Sequence, residues 1–95
     1  MLTEVIYECA TLEVRRTEME TGSTCGSLEF GEFSAVHFVI GGTPRFRTPR
    51  QSADLMPGDS IIFTDERPYT ILNCAPSRSV ILSILFKTFA TKIRA

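Results

Sequence analysis

The chain has little of what marks most functional classes at sight. It contains no tryptophan and a single histidine, His37. Zinc, iron and manganese sites usually draw three or more His, Cys, Asp or Glu donors to one point, so no metal cofactor is expected. Three cysteines, Cys9, Cys25 and Cys74, give neither an even count nor a CxxC spacing, which argues against a disulfide framework. The net charge of −1 leaves no field to attract a phosphate backbone, so nucleic acid is not expected as a direct partner. No apolar run approaches a membrane span. The amino terminus, MLTEVIYECATLEVRR, carries acids where a secretory leader is basic and has no Ala-x-Ala site, so a cytoplasmic location is expected. No window repeats apolar residues at helical spacing.

What is present is strand. Val5, Tyr7 and Cys9 alternate with Glu4, Ile6 and Glu8, and Leu12 and Val14 with Glu13 and Arg15, as in strands with one wet face. Gly22–Ser27 reads as a small-residue loop holding an exposed Cys25, whereas Cys9 and Cys74 fall in strand-like runs and are expected to be buried. Leu28–Gly31 reads as a short strand. Val36–Ile40 is apolar apart from His37, as in a strand covered on both faces, and Gly41–Gly42 suits a tight hairpin returning through Arg45–Thr48. Pro49 marks an edge or a break. Pro57–Gly58–Asp59 is a turn before Ser60–Phe63, with further strands at Tyr69–Cys74 and Ser79–Phe86. The tail TFATKIRA fits a last strand, a short helix or a frayed end. About eight or nine strands at near-regular spacing predict an all-β sandwich or small barrel. The 95 residues fit one domain, 1–95, with a thin core, for which pairing of copies is a common remedy.

The order VHFVIGG, LMPGDSIIF and RPYTILNC resembles the cupins, small jelly-roll barrels of two antiparallel sheets. The resemblance places a first motif on Ser34–Phe46 and a second on Pro57–Asn73. His37 falls near the family's histidine pair, but Val39 occupies its partner's place and no glutamate lies between residues 33 and 53. Tyr69 stands where a third histidine is expected. The same segments, with ERPYTI, are similar to the cupin-like ligand-sensing and dimerisation domain of AraC-type transcription regulators. The likeness covers about half of the chain, and no segment here resembles that family's helical DNA-binding domain.

The candidate ligand-lining residues are His37, Phe38, Phe46, Phe63 and Tyr69, with Arg45 or Arg47 at the mouth. Arg45 and Arg47 share a strand face and suit a carboxylate or phosphate clamp, or else a solvated strand edge that resists aggregation. His37 is either a ligand-binding or basic imidazole or a hydrogen-bonded core residue. The aromatics, Phe30 and Phe33 included, line a cavity or fill a core; sequence does not separate the two. Glu29 and Glu32, three apart, face opposite sides of a continuous strand and make a weak carboxylate pair. Asp59 is expected to cap its turn. Three functions fit: a non-catalytic small-molecule sensor or carrier, expected as a homodimer; a metal-independent isomerase or lyase using His37 as base and Tyr69 as acid; or a dimeric interaction module with a fully packed barrel.

Overall fold

A computed structural model describes residues 1–30, 34–64 and 68–87, without the side chains of Leu28 and Glu29. Nine strands form two antiparallel sheets: β1 Leu2–Glu8, β2 Leu12–Met19, β3 Thr24–Gly26, β4 Ser34–Gly41, β5 Arg45–Arg47, β6 Ser52–Asp54, β7 Ser60–Phe63, β8 Thr70–Leu72 and β9 Ser79–Phe86. One sheet runs β1-β2-β9-β4-β7 and the other β3-β8-β5-β6. The all-β architecture expected from the strand pattern is the one observed, in the two antiparallel, jelly-roll-like sheets that the motif resemblance implies, with no α-helix among the described residues.

The core follows from alternation. On β9, Ser79, Ile81, Ser83 and Leu85 are buried while Val80, Leu82 and Ile84 are half-buried, and β4 buries Ala35, His37 and Val39 in the same way. These inward residues meet Phe46, Phe63, Tyr69 and Ile71 between the sheets. The outward side of β4 keeps access to solvent, so Val36–Ile40 is a strand with one buried face rather than two. Ile40 continues the alternation on the outward face and is 56% exposed, and a bulge there shifts the register so that Gly41 pairs with Val80.

Other departures have local causes. A bulge between Val5 and Tyr7 pairs Val5 with Arg15 but Tyr7 with Val14, so two residues that strict alternation puts together lie on opposite faces. The whole of β1 is exposed, as an edge strand beyond the reach of the smaller sheet. The loop expected over Gly22–Ser27 contains β3, and Leu28–Phe30, expected as part of a strand ending at Gly31, belongs to a 3-10 turn over Ser27–Phe30, with Gly31 outside the described residues. Cys25 consequently faces Ile71 across β3 and β8 and is buried, while Cys74 is exposed and Cys9 half-buried, reversing the expected order.

Asn73 explains why Cys74 lies outside. Its buried amide donates to the carbonyls of Met19 (2.7 Å) and Ser77 (2.9 Å), and its Oδ1 accepts from Ser79 Oγ at 3.0 Å, so Asn73 turns inward in place of the thiol.

Two turns place the strands around the interior. Gly42 has φ 75°, and a Cβ there would lie 2.5 Å from Ser79 Oγ and 2.6 Å from the Arg78 carbonyl. This glycine does not close a hairpin. It carries the chain across to the second sheet, where β5 pairs with β6 and β8 rather than with β4. At Met56–Asp59, Gly58 takes φ 96°, the Asp59 amide donates to the Met56 carbonyl (2.9 Å), and Asp59 Oδ2 accepts from the Met56 amide at 2.9 Å. Asp59 therefore caps its turn, as expected. The Gly58 amide also donates to the Val39 carbonyl at 2.9 Å, fastening this turn to β4 and fixing where β7 begins.

Candidate functional site

His37 enters the interior from the middle of β4 and is fully buried. Its Nδ1 lies 2.7 Å from Ser83 Oγ on β9, and its Nε2 lies 2.9 Å from the Tyr69 hydroxyl. A neutral imidazole has one donor and one acceptor, and two freely rotating hydroxyls satisfy either tautomer. The ring is walled by Phe30, Tyr69, Phe46 and Phe63 at centroid distances of 4.9, 5.4, 5.7 and 6.0 Å. Phe63 and Tyr69 stack almost parallel at 3.9 Å. Burial lowers the His37 pKa to about 4, so the ring is neutral at pH 7. Burial also raises the Tyr69 pKa, keeping its phenol protonated. The result is a sealed Ser–His–Tyr relay, with both imidazole nitrogens engaged.

The accessible space lies next to it. β6 and β7 are terminal strands of different sheets, and between their free edges opens a cleft of about 650 Å³. Phe46, Ile61 and Phe63 form apolar wall, and Thr48, Arg50, Gln51 and Ser52 supply polar groups. Phe46 and Phe63 touch both spaces: one side of the pair lines the cleft, the other packs on His37. Arg50 is carried on the β5–β6 turn, held by the Thr48 amide donating to the Gln51 carbonyl (2.8 Å) and by the Gln51 amide donating to Thr48 Oγ1 (3.2 Å). The backbone that presents the guanidinium is thus fixed in advance.

Of the seven residues singled out in the sequence, the fold gathers His37, Phe46, Phe63 and Tyr69. Phe38 is half-buried on the opposite face of β4, because adjacent strand residues point apart. Arg45 and Arg47 do share a face, but it is the outer face of the smaller sheet and not the cleft mouth. Arg45 is committed to Asp54, with Nε donating to Oδ1 at 2.7 Å, and that bond holds the Asp54 carboxyl below its usual range. The cleft's cation is instead Arg50. Glu32 and Phe33 lie outside the described residues.

Two participants escaped the sequence reading. Ser83 had a usable signal: Ser79 and Ser83 interrupt the apolar run SVILSILF on its buried face, and a buried hydroxyl requires a partner. Arg50 had little, because β6, with the sequence Ser-Ala-Asp, carries no strand pattern from which an edge or a cleft follows.

No family model and no curated protein matches the chain. Solved structures do. A cupin superfamily protein from Desulfitobacterium hafniense aligns with a TM-score of 0.78 at 15% identity, covering 90% of this chain and 75% of that one. A cupin domain of an XRE-family transcriptional regulator from Enterobacter cloacae aligns with a TM-score of 0.79 at 11% identity, covering 92% and 96%. The fold is that of a cupin. A cupin-superfamily sugar phosphate isomerase from Silicibacter pomeroyi aligns at 0.69 with 15% identity over 83% of this chain, which spans 52% of that longer one. At such identities the likeness carries the fold alone.

A metal of the kind many cupins hold does not fit the residues here. Val39 and Tyr69 stand where ligands would be needed, and both His37 nitrogens are taken by hydroxyls. Among the described residues no three His, Cys, Asp or Glu side chains converge.

Proposed function

We propose that this chain is a non-catalytic cupin domain that binds a small organic molecule in the cleft between β6 and β7, as a sensor or carrier. The observation that supports this reading is the division of the interior in two. The imidazole is enclosed by aromatic rings, while an open space with apolar wall and one cation lies immediately outside them. Small-molecule sites are typically concave and mostly apolar, with a few placed polar groups. A ligand with an apolar body against Phe46, Ile61 and Phe63 and a polar or anionic end towards Arg50 suits this lining. The motif similarity to AraC-type sensor domains and the fold shared with a regulator's cupin domain agree with a sensing role.

The enzyme reading draws on the direct His37–Tyr69 hydrogen bond and on the fold shared with a sugar phosphate isomerase. It requires a substrate to reach atoms that are buried and already paired. A general base must come within hydrogen-bond reach of the proton it removes, directly or through one water. Burial of His37 weighs against it.

A thermal-shift and NMR screen of aromatic and aliphatic acids, amides and alcohols tests the binding reading. The expected result is a ligand whose chemical-shift changes centre on Phe46, Ile61 and Phe63, and whose stabilisation is lost in Ala53→Phe, which fills the cleft from exposed β6. Binding that survives Ala53→Phe, or turnover abolished by His37→Gln, overturns the reading.

A further inference from the structure

The larger sheet has a second side. Reading the strand registers across it, Tyr7 pairs with Val14, Val14 with Ile84, Ile84 with Val36 and Val36 with Ile62. These five side chains form one unbroken apolar row across all five strands, on the face turned away from the core. Its ends are open, with Tyr7 56% and Ile62 71% exposed, and its middle is only half-buried. Leu82 and Phe38, paired with each other, lie alongside the row on one side, and Phe86 on the other. An isolated exposed apolar residue needs no explanation, whereas a continuous patch on a small domain marks an interaction surface.

We propose that this face is covered by a second copy of the same chain, packed sheet against sheet. Three features favour self-pairing. The first is size. Strands of seven, eight, eight, eight and four residues, at about 3.3 Å per residue and about 4.8 Å apart, present roughly 550 Å² in projection, or about 1,100 Å² over both partners, above the roughly 1,000 Å² that a specific interface needs. The second is charge. In a two-fold pairing a surface patch meets its own kind, which penalises charged faces but not a neutral row. The charges bordering this row balance, two acids against two bases: Arg16 lies opposite Glu4 and is paired with Glu18, and Glu18 also receives Arg78 at 2.9 Å. Among the described residues no unbalanced charge at this row calls for an oppositely charged protein, a nucleic acid or an anionic membrane. The third is shape. Two twisted antiparallel sheets with apolar inner faces pack stably with strands crossing at about 30°, so two such faces can form a small second core. Ile62 also lines the cleft, so pairing would cover one wall of the proposed ligand site.

Sedimentation velocity across about 1–200 µM tests the inference on the intact chain. A concentration-dependent dimer is expected. Ile84→Glu places a charge mid-row and should raise the dissociation constant at least about a hundredfold, because a buried unpaired charge is costly. Tyr7→Ser combined with Ile62→Ser, at exposed positions that leave the core untouched, should weaken it measurably while the fold, checked by NMR, persists. A monomer throughout the range overturns the proposal. So does a dimer indifferent to Ile84→Glu and to the double variant but lost in Val5→Pro, which would place the contact at the free β1 edge instead.

Discussion

Acidification should destabilise this protein through His37 before any carboxylate takes part. In the folded state burial holds the imidazole pKa at about 4, against the ordinary 6.5 of an exposed histidine. Below pH 6.5 the unfolded chain takes up a proton that the folded chain refuses. The stabilisation from keeping His37 neutral is complete above pH 6.5, falls as pH drops, and is lost once pH passes the folded value near 4. At about 1.4 kcal/mol per pH unit, the difference of 2.5 units amounts to about 3 kcal/mol. For a domain of this size that is a fall in Tm on the order of 10–20 °C. The carboxylates of Glu8, Glu18, Glu20 and Asp54 are held low by Lys87, Arg16, the terminal amine and Arg45 respectively. Their contributions are fully present well above their ordinary values of 4.5 and 3.8 and begin to fade about one pH unit above them, so the range from about pH 5.5 to 6.5 isolates the histidine. Urea midpoints at pH 7.5, 6.5, 5.5 and 4.5 measure the slope, and His37→Gln should flatten it. An unchanged slope in that variant, or a flat wild-type profile, refutes the sealed imidazole and reopens His37 to solvent and substrate.

Three further outcomes follow from the packing. Asn73→Ala removes hydrogen bonds to Met19, Ser77 and Ser79 and should cost about 2–4 kcal/mol in urea denaturation, since it strands several buried groups together. Gly42→Ala forces a Cβ to within 2.6 Å of the Arg78 carbonyl at φ 75° and should cost more than the roughly 1 kcal/mol of backbone strain alone, read as a lowered Tm. Thr17→Val should act in the opposite direction: Thr17 is buried and its hydroxyl has no partner among the described residues, so an apolar isostere should stabilise by about 1 kcal/mol in the same assay.

The fold was legible where local chemistry is strong. Alternation in β4 and β9, Gly42 and the Pro57–Gly58–Asp59 turn each announce a strand or its end from a few neighbouring residues. What stayed hidden depends on partners distant in sequence. The Gly41–Gly42 pair reads as a hairpin, yet the chain crosses to the other sheet, because the place beside β4 is taken by β7 and β9. The single bulge at Ile6 moves Tyr7 to the outer face, where it completes a row whose other members come from β2, β9, β4 and β7. Period-two alternation carries no warning of an inserted residue.

The candidate site divides along the same line. His37, Phe46, Phe63 and Tyr69 were recognisable as an inward set, because each is a large or polar residue on a strand that must bury something. Whether that set encloses a void was not recognisable, since a lined cavity and a filled core use the same side chains. Here the rings resolve the matter by geometry. Phe63 lies flat on Tyr69 at 3.9 Å, and four aromatic rings stand around the imidazole, so the centre is filled by its own residues. Among the described residues, open space lies where the sheets part, at two short terminal strands, one of which, β6, has no strand pattern in its sequence. In a barrel of this kind a buried imidazole need not mark a hollow centre: the aromatic rings around it close the space and become the inner wall of a cleft beside it.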